Sequence, residues 1–131
     1  MQKNTTSEEL SKASEIKYVF KGAFLGLVIS LLVLLVIALI LLLTSLSETV
    51  VPYAVYLTSI FSIIIGSAYA ARRIRFKGWL NGGLTGLTYI VVLLLLTRVF
   101  GLDMDINLSL LTKLVLGFVI GSIGGILGLN L

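Results

Sequence analysis

The sequence predicts an all-α integral membrane fold: four transmembrane helices forming two parallel-repeat helical hairpins, with both termini cytoplasmic. Three observations carry this expectation. Charge is scarce: 58% of the 131 residues are hydrophobic and only 12% are charged, about half the charged share of a soluble domain. The few charges leave four long uncharged runs, 22–47, 49–71, 78–97 and 114–131. Small residues recur every fourth position within each run. A helix crosses the hydrocarbon core with about 20 mainly apolar residues. The runs lack the alternation of barrel strands, which leaves helices as the way to satisfy backbone groups in lipid.

Residues 1–18 read as a polar cytoplasmic segment and 19–131 as the transmembrane domain. In the polar segment, Thr6 and Glu9 have the spacing of a capping box. A short interfacial helix and a disordered tail both fit this segment. The first span is placed at Val19–Thr44. Its apolar run of about 25 residues exceeds the 7–15 of a signal-peptide core, so it reads as a membrane span. The second span, Pro52–Ala71, opens with proline where a missing N–H is harmless. The third, Gly78–Phe100, follows the basic turn "RRIRFK" so closely that spans two and three must be antiparallel neighbours. The fourth, Leu108–Asn130, has Asn107 or Ser109 as candidate caps, with Asp103 and Asp105 near its positive dipole end.

Orientation follows from the cations. Lys3, Lys12, Lys17 and Lys21 precede or open span one, and Arg72, Arg73, Arg75 and Lys77 lie between spans two and three; only Arg98 and Lys113 fall on the other side. The positive-inside rule therefore places both termini and the basic turn in the cytoplasm of a plasma-membrane protein. The net charge of +4 is explained by this topology, and no nucleic-acid partner is expected. Four cations at one surface are expected to contact anionic lipid, or a partner, at Arg72, Arg73, Arg75 and Lys77.

The small residues define faces. Span one carries Gly22, Gly26 and Ser30; span two, Ser62, Gly66 and Ala70; span three, Gly78, Gly82 and Gly86; span four, Gly117, Gly121 and Gly125. Residues four apart stack on one helix face. In lipid, where no hydrophobic force drives helices together, such faces let backbones approach closely. The sets also align between halves. "KGAFLG" at Lys21 matches "KGWLNG" at Lys77 with an offset of 56, and "IGS" at Ile65 matches Ile120 with an offset of 55. This pattern predicts an internal duplication whose pseudo-two-fold axis runs along the membrane normal.

Little in the chain predicts chemistry. There is no cysteine and no histidine, which removes disulfides, imidazole or thiolate metal sites and the common nucleophile–base pairs. No ionisable residue lies near the middle of a span, where proton coupling would need one. No catalytic residue, cofactor or metal is expected. The hydroxyls of Ser30, Thr58, Ser59, Ser62, Ser67, Thr85 and Thr88 could line a polar track, with Asn81, Tyr89 and Asn130 as further polar candidates. The expected function is a non-enzymatic accessory or structural subunit that packs with itself or a larger membrane complex. A small oligomeric transporter or channel is the alternative.

The stretch "AARRIRFKGWLNGGLTGLTY" together with "GSIGGILGLNL" resembles the YrzE-like family of small four-span membrane proteins of Gram-positive bacteria, which is uncharacterised. The resemblance extends over most of the chain after Lys21. It implies a bacterial plasma-membrane location and supplies no activity and no site residues.

The orientation is testable in a chain that has no native cysteine. Ser7→Cys and Phe76→Cys are expected to react in intact cells with membrane-permeant thiol reagents alone, whereas Thr49→Cys reacts with impermeant reagents too. Strong impermeant labelling at position 76 would reverse the topology.

Overall fold

A computed structural model describes residues 2–103 and 105–131, with side chains from Thr5 onward. Met1 of the polar segment and Met104 between the two aspartates lie outside the described residues. Four helices are long and apolar enough to cross a membrane. They are α1 (Gln2–Leu43), α2 (Val51–Ile74), α3 (Gly78–Val99) and α4 (Leu108–Asn130), with a 3-10 turn at Glu48–Val50 before α2.

The polar segment is neither a separate interfacial helix nor a disordered tail. It is continuous with span one, so α1 has 42 residues and a length of about 63 Å at 1.5 Å per residue. Thr6 lies inside this helix, so the expected capping box does not mark a helix start. The turn after α1 is closed by Ser47, whose Oγ accepts from the Thr49 N–H at 3.3 Å. Pro52 falls in the first turn of α2. That helix continues past Ala71 through Arg72 and Arg73, cations suited to a helix C-terminus. At the end of α3, Gly101 adopts φ 70°. The Leu102 N–H then reaches Thr97 O at 3.2 Å and the Gly101 N–H reaches Arg98 O at 3.1 Å, the Schellman closure that needs a left-handed residue. Asn107 is the N-cap of α4, but its side chain makes no capping bond.

The core is confined to one end. Buried residues run from Val19 to Ser30, Thr58 to Ala71, Gly78 to Tyr89 and Gly117 to Gly128. No described residue between 31 and 57, or between 90 and 116, is buried. The division follows the sequence. The basic-turn end carries the glycines, while the other end is built of bulky residues such as "LLVLLVIALILLL" in α1, which hold helices apart.

Where glycines face each other, the helices touch through their backbones. An added Cβ at Gly22 would lie 2.5 Å from Gly66 O and 2.9 Å from Ala70 Cβ; one at Gly26 would lie 2.8 Å from Ser62 O. Ser30, buried one turn further along, extends this face of α1. A second ladder joins α3 to α4: Gly78 meets Gly125, Gly82 meets Gly121, and Gly86 meets Gly117. The five glycines of α4 divide between two neighbours. Gly117, Gly121 and Gly125 face α3, while Gly124 and Gly128 face α2, where a Cβ would come 2.8 Å from Ile64 Cα and 2.5 Å from Ala68 O.

Two features of the expected duplication need correction. The sequence offsets carry the Gly22–Gly66 contact onto Gly78–Gly121. The chain instead pairs Gly78 with Gly125 and Gly82 with Gly121, one helical turn away. A two-fold along the membrane normal would also make α1·α4 the counterpart of α2·α3. Helix α2 packs on α3, yet among the described residues α1 does not approach α4. The contact pattern fits a parallelogram in which hairpin α3–α4 stands beside hairpin α1–α2, with α2 and α3 on the short diagonal. Small-residue spacing permits close packing at any one-turn shift, so the sequence match did not fix the register.

These contacts predict that Gly82→Ala and Gly121→Ala each lower stability by about 1–3 kcal/mol, the usual cost of overpacking. Leu95→Ala, at a side chain 60% exposed, is expected to change it by less than about 0.5 kcal/mol. Thermal unfolding in detergent distinguishes them, and equal midpoints would contradict the backbone-contact geometry.

Candidate functional site at the basic turn

The chemistry-bearing side chains gather at the tightly packed end, around residues 72–77. The link between α2 and α3 is so short that two non-glycine residues, Arg75 at φ 55° and Lys77 at φ 42°, take the left-handed conformation. Each such residue costs about 1–2 kcal/mol and persists only where its surroundings over-determine it. Three sets of bonds do so here. The Arg75 N–H closes α2 onto Ala71 O at 2.9 Å, and the Leu80 and Asn81 N–H groups donate to Lys77 O at 3.0 and 3.1 Å. Asn81, only 5% exposed, donates its side-chain amide to Phe76 O at 2.7 Å. One turn along, Thr85 donates to Asn81 O at 2.8 Å. Asn81 is thus the internal fastener of the basic turn.

The four cations of the turn are not equivalent. Arg72 directs Nε toward Gly128 O at 3.3 Å, tying α2 to the negative dipole end of α4. Arg73 stands over the Tyr69 ring, 5.6 Å from its centroid, and Lys77 over Phe76 at 5.3 Å. Lys21, near the same level on α1, stands over Tyr18 at 5.8 Å. Cation–π contacts of this kind contribute about 0.5–1 kcal/mol at exposed sites and leave the charge available outward. Arg72 and Arg75 line a shallow groove with Gly128 and Leu129. Lys77 and Asn81 share another with Glu8 and Glu15, on the part of α1 that precedes the apolar run.

Most of the candidate hydroxyls are engaged by backbone carbonyls. Ser30 donates to Leu27 O, Ser59 to Val55 O, Thr85 to Asn81 O and Thr88 to Leu84 O, all within their own helices. Ser67 donates across to Gly82 O at 3.1 Å, cross-linking α2 to α3. Ser62 Oγ is buried without a hydrogen-bond partner among the described residues, beside the Gly26 contact. Asn130 bonds back to Ile126 O, and Tyr89, 1% exposed, fills the core.

The structure brings the singled-out glycines, with Ser62 and Ala70, to close approaches between helices, and it buries Ser30. Sequence reasoning missed the second face of α4, Gly124 and Gly128, and the close packing of Gly83 against Phe118 and Ser122. The "GG" pairs at 82–83 and 124–125 were the available signal, since adjacent glycines point to different helix faces.

Among the described residues, four helices long and apolar enough to cross a membrane, with most of the cations gathered at one end, suggest a multi-pass membrane protein. Its sequence places it more narrowly: the chain belongs to the DUF3792 family of proteins of unknown function, whose profile matches residues 15–128. No curated protein and no solved structure matches it.

Removing the fastener tests this description of the turn. Asn81→Ala should cost about 1–3 kcal/mol, because it leaves a polar carbonyl without its bond. It should also speed proteolysis within 72–78 at least several-fold. Unchanged cleavage there would show that the turn is held without Asn81.

Proposed function

We propose that this chain is a non-enzymatic accessory or structural subunit of a bacterial plasma membrane, of the YrzE-like kind, with both termini and the basic turn in the cytoplasm. The observation that carries the reading is the division of the bundle. One end is locked by backbone contacts; the other presents bulky apolar side chains at the surface, including Leu32, Leu35 and Leu39 of α1, all at least half exposed. The first expectation, that the small-xxx-small faces themselves receive a second copy or a larger complex, meets a physical obstacle: these faces already occupy one another within the chain. Association is therefore assigned to the open half of α1, with the locked half acting as a frame that holds this helix upright. The basic turn adds attraction to anionic lipid, about 1 kcal/mol per cation near the surface. An oligomeric channel gains no support from the hydroxyls, which are mostly bonded to carbonyls.

Photoreactive residues replacing Leu35 or Leu39 test this in living cells. The proposal expects discrete protein adducts, at twice the chain mass for self-association or at a heterologous mass for a complex. Adducts to lipid alone at both positions would overturn it.

A further inference from the structure

We infer that the groove bounded by α1, α2 and α3 near Lys21 binds one anionic glycerophospholipid, with its phosphate between Lys21 and Arg73 and an acyl chain along Phe24 and Val28. This rests on the reading of the basic end as a contact for anionic lipid, and narrows it from a charged surface to a discrete site.

The groove measures about 770 Å³, within the roughly 300–1,000 Å³ of small-molecule sites. Its wall is mainly apolar: Phe24 and Val28 from α1 and Val92 from α3, with Lys21, Tyr69 and Thr88 as the polar members. Thr88 already donates its hydroxyl to Leu84 O at 2.8 Å. The remaining polar chemistry is gathered at one end. Lys21 lines the groove itself, and Tyr69, also in the wall, carries the Arg73 guanidinium over its ring. Val28 lies seven residues along α1 from Lys21, about 10 Å deeper.

The site therefore grades from two cations to an apolar trough over roughly half a bilayer leaflet's depth of helix. A soluble anion would leave the trough unused. A zwitterionic lipid brings its own cation with its phosphate, and so neutralises none of the net charge of Lys21 and Arg73. A negatively charged headgroup on an acyl chain satisfies both. Two other cations of that end are placed differently: Arg72 is turned to Gly128 O, and Arg75 lines the separate groove at the end of α4.

Native mass spectrometry of the full chain, released from detergent with equal phosphatidylglycerol and phosphatidylcholine, tests the site. The expected result is one phosphatidylglycerol retained in preference to phosphatidylcholine. Lys21→Gln and Arg73→Gln should each lower its occupancy about fivefold, the equivalent of about 1 kcal/mol per cation. Val28→Trp should lower it at least as far with every charge intact, while Lys113→Gln, at the other end, should match wild type. Lys21 and Arg73 are exposed, so their variants decide the question if Val28→Trp does not fold. Wild-type retention by a folded Val28→Trp protein would overturn the site while leaving general attraction to the basic end intact. Equal retention of the two lipids by wild type would overturn both, and equal losses from Lys113→Gln and Lys21→Gln would overturn the site.

Discussion

Everything in this bundle depends on the absence of a Cβ atom at the points where helices meet. In lipid, association rests on dispersion and on short contacts between backbones, and each atom pair contributes only about 0.1–0.2 kcal/mol. Many pairs must therefore be brought within range, and small residues, glycine above all, allow that along a helix pair. At Gly82–Gly121 and Gly86–Gly117 the carbonyl of one helix lies where the partner's side chain would begin. A glycine inside a helix costs roughly 1 kcal/mol against alanine. The contact energy recovered along two ladders is what makes so many of them tolerable in α4.

The confinement of these ladders to one end shapes the rest. It places the core beside the basic turn, where Asn81 can reach Phe76 O and Ser67 can reach Gly82 O. It lets the turn hold two left-handed residues without glycine, because the helices on either side are already fixed. It also leaves the opposite halves separated by bulky side chains. A locked end beside the basic turn and an open end of bulky side chains are two consequences of one distribution of small residues. The functional reading follows from that polarity and not from any reactive group.

Much of this was legible in the sequence. Uncharged runs located four helices, because charge is expelled from apolar spans. The four-residue spacing marked the contact faces, because i and i+4 share a face whatever the neighbour. The spacing could not name the neighbour. Gly124 and Gly128 fell outside that stripe, and they serve α2 while Gly121 and Gly125 serve α3. Nor could it fix register, since a ladder of small residues fits equally well one turn along; the match of "IGS" at 65 and 120 led to a pairing that the contacts do not follow. The polar leader of α1 was ambiguous because its helical face is weak without the span behind it. The role of Asn81 was obscured by the turn: its partner, Phe76 O, is only five residues away, but it comes within reach through left-handed residues that composition does not announce.

The central claim is that the glycine faces close on each other within one chain. Magic-angle-spinning NMR of protein carbon-13-labelled at glycine alone, in lipid bilayers, tests it most directly. The account predicts through-space cross-peaks between Gly82 and Gly121, Gly86 and Gly117, and Gly22 and Gly66, with intensities per labelled chain unchanged when labelled protein is diluted into unlabelled protein. Cross-peaks that fade on dilution would place those contacts between chains and contradict the account, as would their absence from the undiluted sample.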